Sequence, residues 1–132
     1  MKLWLTKAEE DLQAGDLILN GNMPSYGTVS FHAQQSAEKA LKALLIRHQV
    51  AFGKTHDLGE LLQLAEAEAA GISQTLADAE TLTPYAVQTR YPTEDPSVDR
   101  GEAGRHLELA RKVLGAVRAA LKPYLDAGRP GG

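Results

Sequence analysis

The chain contains no cysteine and few aromatic residues. The lack of cysteine excludes disulfides, zinc sites built on thiolates and cysteine nucleophiles. Only 5% of the 132 residues are aromatic, and the 43% that are apolar are mostly leucine and alanine. Leucine and alanine lose little conformational freedom in a helix. The composition therefore favours helices over sheets, and the length fits one domain with one core.

The sequence also lacks a long apolar run and an excess of basic residues. No segment reaches the length of a membrane span, and the first eleven residues turn acidic where a signal peptide would be apolar. We therefore expect a cytoplasmic protein with no membrane partner. The net charge of −3 argues against attraction of nucleic acid over the whole surface, but it permits a local basic patch in the last third.

Enzyme signatures with fixed spacing are missing as well. There is no Walker loop, dinucleotide fingerprint, nucleophile elbow or HExxH motif, and the four histidines show no metal-ligand spacing. We therefore expect neither a cofactor nor a metal.

Apolar residues at helical spacing predict four to five helices joined by short loops. The predicted helices cover about residues 3–19, 26–50, 57–70, 73–85 and 99–125. Asp57 and Glu60 have the spacing of a capping box, and Ser73 is placed to cap the fourth helix. The pattern is typical of an all-α, antiparallel up-and-down bundle. We expect residues 1–126 to form this bundle and residues 127–132 to form a flexible tail.

Polar residues interrupt the predicted apolar faces of the first two helices. Asp11 and Gln34 each lie within ~20° of an apolar residue on their helix, so we expect them to share one polar network. That network either fixes helix register or binds a ligand. Glu38 and Lys42 have the spacing of an ion pair on the solvent side of the second helix. Phe31 lies on the same polar side and suggests a partner surface, such as that of a homodimer.

Two further pairs have both a functional and a structural interpretation. His56 precedes Asp57 at a helix start, where a histidine oriented by a carboxylate would meet anions. In the structural interpretation, Asp57 caps the helix and His56 has no role of its own. Arg90 and Tyr91 on a proline-stiffened loop suit a phosphate and a base, or they anchor the loop on the bundle.

Arg100 and His106 suggest cleavage of RNA without a metal. The histidine would move protons and the arginine would stabilise the charged phosphorane. On one continuous helix, however, side chains six residues apart point ~120° away from each other. They converge only if Arg100 precedes the regular helix or a second protomer supplies one of them. The alternative is a histidine packed in the core.

Four segments of the sequence, in order, resemble the HEPN family (higher eukaryotes and prokaryotes nucleotide-binding). The closest match is the second helix, FHAQQSAEKALKAL at 31–44. The others are AEEDL at 8–12, THDL at 55–58 with two leucines at 61–62, and a tyrosine at 85 followed by RYP at 90–92. The resemblance covers most of the chain up to about Pro92.

The resemblance implies a helical bundle that is commonly dimeric. It also implies a partner, because stand-alone bacterial members are often encoded beside a minimal nucleotidyltransferase in a toxin–antitoxin-like pair. Some HEPN groups are metal-independent ribonucleases with an Arg-x4–6-His motif, which only Arg100 and His106 match in spacing. The family motif usually has a polar residue after the arginine, where this chain has Gly101.

The sequence thus leads to a nucleotide- or RNA-binding HEPN partner subunit, with little or no catalysis, as the first hypothesis. The surface for nucleotide, RNA or partner is expected at Asp11, Gln34, Gln35, Glu38, Lys42, His56, Arg90 and Tyr91. The second hypothesis is a ribonuclease toxin that uses Arg100 and His106. A third is a helical interaction module without nucleotide chemistry.

Overall fold

A computed structural model of the chain describes residues 1–22, 24–86 and 98–127, and these residues form helices and no strand. Helix α1 spans Lys2–Leu19, α2 spans Tyr26–Arg47 and α3 spans Leu58–Glu66. They are followed by the short α4 at Ile72–Thr75, a 3-10 helix at Ala77–Tyr85 and the long α5 at Arg100–Ala127. The prediction of an all-α fold is confirmed.

Helix α2 is the central element of the bundle. It packs against α1, α5, α3 and the 3-10 helix. Thirteen of its 22 residues are buried, whereas a surface helix buries only one apolar stripe. Because α2 is covered on several sides, it carries polar side chains into the interior together with apolar ones.

Contacts between α1 and α2 show that the two helices are antiparallel. Trp4 at the start of α1 lies beside the ammonium group of Lys42 near the end of α2. Gly15 near the end of α1 lies against His32 near the start of α2. Any side chain at position 15 would also meet Leu107 of α5, so the glycine permits a close approach of three helices.

Two ion pairs define how α5 lies against α1. Asp16 pairs with Arg111, and Glu9 pairs with Arg118. Earlier residues of α1 therefore meet later residues of α5, which makes these helices antiparallel. The expectation that α5 is antiparallel to its neighbours holds for α1, but α5 and α2 run in the same direction. The chain between them returns through α3, α4 and the 3-10 helix.

The apolar stripes predicted for the long helices are confirmed. Each fully buried leucine stabilises the fold by roughly 1.5–3 kcal/mol, and the stripes form one continuous core. The buried residues at helical spacing include Val29, Ala33, Leu41 and Leu44 on α2, Leu58, Leu61, Leu62 and Ala65 on α3, and Ala103, Leu107, Ala110, Leu114, Val117 and Leu121 on α5.

The predicted fourth helix is wrong in type. Residues 73–85 form the end of a four-residue α-helix and then a 3-10 helix. Leu76, Ala79, Leu82 and Tyr85 are spaced by three, and residues three apart share one face in a 3-10 helix. Ser73 caps no helix; its hydroxyl and amide hydrogen-bond instead to the carboxylate of Glu66.

The predicted capping box at α3 is half correct. The carboxylate of Asp57 accepts hydrogen bonds from the amides of Gly59 and Glu60, as an N-cap does. The side chain of Glu60 does not return to the amide of Asp57. Thr55 replaces it: its hydroxyl accepts from that amide and donates to Glu60.

Candidate functional site

An open groove of about 830 Å³ lies between the 3-10 helix and α5, and His106 forms part of its wall. Three cationic side chains of α5 face it together with two carboxylates, although the chain as a whole is acidic. Guanidinium and ammonium groups are the usual partners of phosphate. The groove is therefore slightly basic, with one more cationic side chain than carboxylates. It is lined by Asp78, Thr81, Arg105, His106, Glu108, Leu109, Arg111 and Lys112.

His106 is held by residues from two other helices. Its Nδ1 lies 2.7 Å from the hydroxyl oxygen of Ser30 on α2, which is fully buried. On another side the ring of Tyr85 packs against the imidazole, with 4.8 Å between ring centroids. The hydrogen bond and the contact with the tilted ring of Tyr85 together fix the orientation of the imidazole. A histidine fixed in this way keeps Nε2 in a defined position.

The half-buried position of His106 also sets its charge. Burial disfavours the imidazolium and lowers the pKa of His106; Glu102 raises that pKa, and Arg105 lowers it further. The ring is therefore neutral at pH 7. A neutral imidazole has one nitrogen that donates and one that accepts, so it can take a proton from a hydroxyl group or donate a hydrogen bond.

Arg100 does not join His106. It is the first residue of the regular α5 and is exposed, and it does not line the groove. Both residues lie on one continuous helix, which is the arrangement that keeps their side chains ~120° apart. Within one chain the predicted pair therefore does not form a single site.

The groove contains three basic residues that the sequence analysis did not select: Arg105, Arg111 and Lys112. Arg105 and Lys112 are seven residues apart and so face the same side of α5. The spacing of these basic residues around His106 could have been recognised in the sequence. The contribution of Asp78 and Thr81 could not, because the 3-10 helix meets α5 only in the tertiary fold.

A second polar cluster lies around the carboxylate of Glu38. One oxygen accepts from Gln34 Nε2 at 3.0 Å and lies 2.7 Å from His56 Nδ1. The other oxygen accepts from Lys42 Nζ at 3.1 Å. Gln35 joins the cluster by donating to the side-chain oxygen of Gln34 at 2.7 Å. Four of the predicted site residues are thus brought together with His56.

The prediction that Glu38 and Lys42 lie on the solvent side of α2 is wrong. Their side chains are only 5% and 8% exposed, because neighbouring elements cover most of α2. The ammonium group of Lys42 lies 5.4 Å from the ring centre of Phe52 and 6.0 Å from that of Trp4. Cation–π contacts of this kind lower the cost of burying the charge.

The environment of Glu38 favours its ionised form. Burial alone raises the pKa of the carboxyl group, but the hydrogen bonds from Gln34, His56 and Lys42 outweigh it, so the pKa of Glu38 lies below its usual value. Glu38 is therefore a buried charge compensated by three donors, the condition under which a buried carboxylate is tolerated.

His56 is oriented by a carboxylate, but not by the one predicted. The adjacent Asp57 is used as the cap of α3, and the contact to His56 comes from Glu38 of α2. The side chain of His56 is 59% exposed, so the imidazole links the buried cluster to the surface.

Asp11 and Gln34 do not share a network. The carboxylate of Asp11 lies 2.9 Å from His32 Nδ1 and accepts from Lys39 Nζ at 2.6 Å, while Gln34 belongs to the Glu38 cluster. Both Asp11 and Gln34 face the interior, as predicted, but α2 presents different residues to α1 and to α3. The Asp11 cluster joins α1 to α2, and the Glu38 cluster joins α2 to the loop before α3.

The remaining predicted residues contribute little to either site. Arg90 and Tyr91 lie outside the described residues. Phe31 is partly buried, and its ring makes a T-shaped contact with that of His32, so it is not the exposed aromatic residue that was expected. Among the residues that the structure describes, the exposed large apolar side chains are Leu3 and Leu17 of α1.

The chain belongs to the HEPN family, because the family model described as HEPN domain matches residues 1–120. A relative named "Putative toxin MJ1304", from Methanocaldococcus jannaschii, is 30% identical over 97 aligned residues. The alignment covers 69% of this chain and 62% of that relative, so the chain spans less than two thirds of its length. No solved structure matches the chain.

None of the helices that the structure describes is both long and apolar enough to cross a membrane. Within the same residues, no three metal-ligating side chains converge on one point.

Proposed function

We propose that this chain is a HEPN-type nucleotide- or RNA-binding protein that acts as the partner subunit of a minimal nucleotidyltransferase in a toxin–antitoxin-like pair. The basic groove around His106 carries the proposal. Arg105 and Lys112 lie about 10 Å apart along α5, at a rise of 1.5 Å per residue. They therefore offer two anchoring points for a phosphate-bearing ligand.

The rest of the groove suits a nucleic-acid ligand as well. Thr81 and the neutral His106 provide hydrogen-bonding groups, and Leu109 adds an apolar surface. The two carboxylates, Asp78 and Glu108, weaken the attraction of a bare anion. They also provide acceptors for the hydroxyl or amino groups of a nucleotide, which inorganic phosphate lacks.

RNA binding is tested by the anisotropy of a fluorescein-labelled single-stranded oligoadenylate of about ten nucleotides, within the range of known single-strand sites. Lys112→Ala and Arg105→Ala should each weaken binding and reduce its dependence on salt, because each removes a phosphate contact. Lys122→Ala is the matched control, since Lys122 is an exposed lysine on the same helix outside the groove. Equal loss in Lys112→Ala and Lys122→Ala would contradict binding in the groove.

The partner assignment rests on the family resemblance of the second helix and on the toxin name of the relative. It predicts that the tagged full-length chain co-purifies with a minimal nucleotidyltransferase expressed beside it. It also predicts a homodimer, which sedimentation measures directly. A chain that stays monomeric and never captures the enzyme would contradict these two parts of the proposal.

A metal-independent ribonuclease is the second candidate, and the fixed, neutral His106 beside a guanidinium favours it. Nε2 of His106 would take the proton of a ribose 2′-hydroxyl group, and the 2′ oxygen would then bond to phosphorus. The bond to the 5′ oxygen would break, and that oxygen would receive a proton in turn. Arg105 in the groove, or Arg100 from a second protomer, would stabilise the charged phosphorane.

The nuclease is tested by cleavage of labelled RNA in EDTA by wild type, His106→Ala, Arg105→Ala and Arg100→Ala. Loss of cleavage in His106→Ala and Arg105→Ala alone would assign the reaction to the groove of one chain. Loss in His106→Ala and Arg100→Ala would assign it to a site shared by two protomers. If all four proteins behave alike, the nuclease is rejected while the binding proposal stands.

A further inference from the structure

Two ion pairs connect α1 and α5 as successive rungs of a ladder. Asp16 pairs with Arg111, and Glu9 pairs with Arg118. In each helix the paired residues are seven positions apart. The side chains are also matched in exposure, at 42% and 40% for the first pair and 45% and 44% for the second.

The two ion pairs differ in their relation to the groove. Arg111 lines the groove around His106, whereas Arg118 does not. Both arginines also border a smaller cavity of about 340 Å³ between α1 and α5. Arg111 therefore stands between the two cavities, with Asp16 on the side of α1 and Lys112 beside it in the groove.

Within the free protein, Arg111 is already occupied by carboxylates. Its Nη2 donates to Asp16, and its Nη1 donates to Glu108 at 2.8 Å. The hydrogen bond that Arg111 donates to Asp16 is the main reason that the pKa of Arg111 lies above its usual value. A carboxylate and a phosphate engage a guanidinium through the same pair of parallel hydrogen bonds. The two anions therefore compete for the same donors.

We propose that Asp16 is a built-in competitor that holds Arg111 away from a phosphate in the groove. This inference rests on the proposed function, because it concerns a phosphate ligand of that same groove. An ion pair exposed to this degree is weak, so a phosphate anchored by Arg105 and Lys112 can displace Asp16. The binding strength of the groove is then set in part by a carboxylate on α1, outside the groove itself.

The ladder provides its own control, because Asp16→Asn and Glu9→Gln each remove one negative charge and keep an amide of the same shape. Binding of the fluorescein-labelled oligoadenylate is measured for both variants at low salt. Asp16→Asn should bind about threefold more tightly than Glu9→Gln, the size expected for loss of an exposed ion pair. The difference should shrink as salt is raised, because salt screens exposed charges.

Arg111→Ala provides the second measurement. If Asp16 acts through Arg111, Asp16→Asn should cause no tightening when Arg111→Ala is also present, and a double-mutant cycle measures this coupling. A tightening that survives Arg111→Ala would overturn the inference, since it would come from general charge alone. Unfolding curves of each variant check that the bundle is intact.

The remaining outcomes separate the inference from the proposed function. If wild type binds through Lys112 but Asp16→Asn and Glu9→Gln bind equally, the inference is overturned and the proposed function stands. If wild type does not bind while Asp16→Asn does, the inference is supported and the proposed function of the native chain fails. If neither protein binds the oligoadenylate, both are overturned.

Discussion

The hydroxyl group of Ser30, in the core of the bundle, lies 2.7 Å from Nδ1 of His106 at the wall of the groove. Ser30 belongs to α2 and His106 to α5, so the orientation of a surface imidazole is determined by a residue that no ligand can reach. The ring of Tyr85 completes the support. The site is thereby built into the packing of the bundle.

Ser30→Ala should destabilise the protein by about 1 kcal/mol, the usual net value of one hydrogen bond. It should also weaken RNA binding, because the imidazole loses its fixed orientation while the groove keeps its charges. Urea denaturation gives the free energy of unfolding, and the anisotropy of labelled oligoadenylate gives the affinity.

Ser36→Ala is the matched control for this prediction. Ser36 is equally buried on the same helix, but its hydroxyl group has no hydrogen-bond partner among the described residues. Removing an unsatisfied buried hydroxyl is neutral or stabilising. A larger loss of stability in Ser36→Ala than in Ser30→Ala would contradict the structure.

Glu38→Gln should destabilise the protein by about 3 kcal/mol or more, because it leaves the ammonium group of Lys42 buried without its counter-charge. Glu10→Gln removes a carboxylate that pairs with Lys7 at 3.8 Å on the surface. Exposed pairs contribute ~0–1 kcal/mol. The free energies of unfolding of the two variants, measured by chemical denaturation, should therefore differ clearly. A similar loss of stability in both would show that Glu38 is not buried as described.

The sequence predicted the parts of the fold that follow from local periodicity. The buried faces of α3 and α5 were identified because apolar residues recur every three to four positions, and a helix places such residues on one side whatever surrounds it. The family resemblance was equally local, because it rested on short segments in order, and the match over residues 1–120 confirms it.

The errors concern residues whose position depends on tertiary packing. Glu38 and Lys42 lie beside the apolar stripe of α2, and whether that side is covered depends on α3 and the loop before it. The partners of Asp11, which are His32 and Lys39, depend on the register between α1 and α2. The periodicity of one helix does not show which neighbouring element covers it or in which register a second helix packs against it.

His106 shows both what the sequence could predict and what it could not. A histidine packed in the core was the alternative to a catalytic one, and the residue is half-buried beside Tyr85. Spacing alone paired it with Arg100, but within one chain a continuous helix points the two side chains apart. Arg105 and Lys112 border the groove with it because the 3-10 helix closes the opposite wall.

The stability of the protein should decrease as the pH falls through about 6.5, in part because of His106. Burial lowers the pKa of this histidine below the value of 6.5 that it has in the unfolded chain. At a pH between the folded-state pKa and the unfolded-state pKa, the unfolded chain binds more protons than the folded one, so the free energy of unfolding falls as the pH falls. Above pH 6.5 the neutral His106 makes its full contribution to stability. Below the folded-state pKa of His106 that contribution is lost.

This prediction is checked by urea denaturation at about pH 7.5 and about pH 5.5, on either side of the ordinary histidine pKa. The loss of stability between the two pH values should be smaller in His106→Asn than in wild type. An equal loss in both proteins would assign the pH dependence to other groups and contradict the buried, neutral state of His106.

Gly15→Ala should destabilise the bundle, because Gly15 is the point where α1 approaches both α2 and α5. A Cβ atom at this position would lie 2.6 Å from Cδ2 of Leu107, which is fully buried and has little room to move. Overpacking of a core costs about 1–3 kcal/mol.

Gly115→Ala is the control, since a Cβ there meets nothing within 4 Å. In that open helical position alanine should stabilise the protein by up to about 1 kcal/mol. Thermal unfolding should therefore shift in opposite directions for the two variants, and a shift in the same direction would disprove the close approach of the three helices.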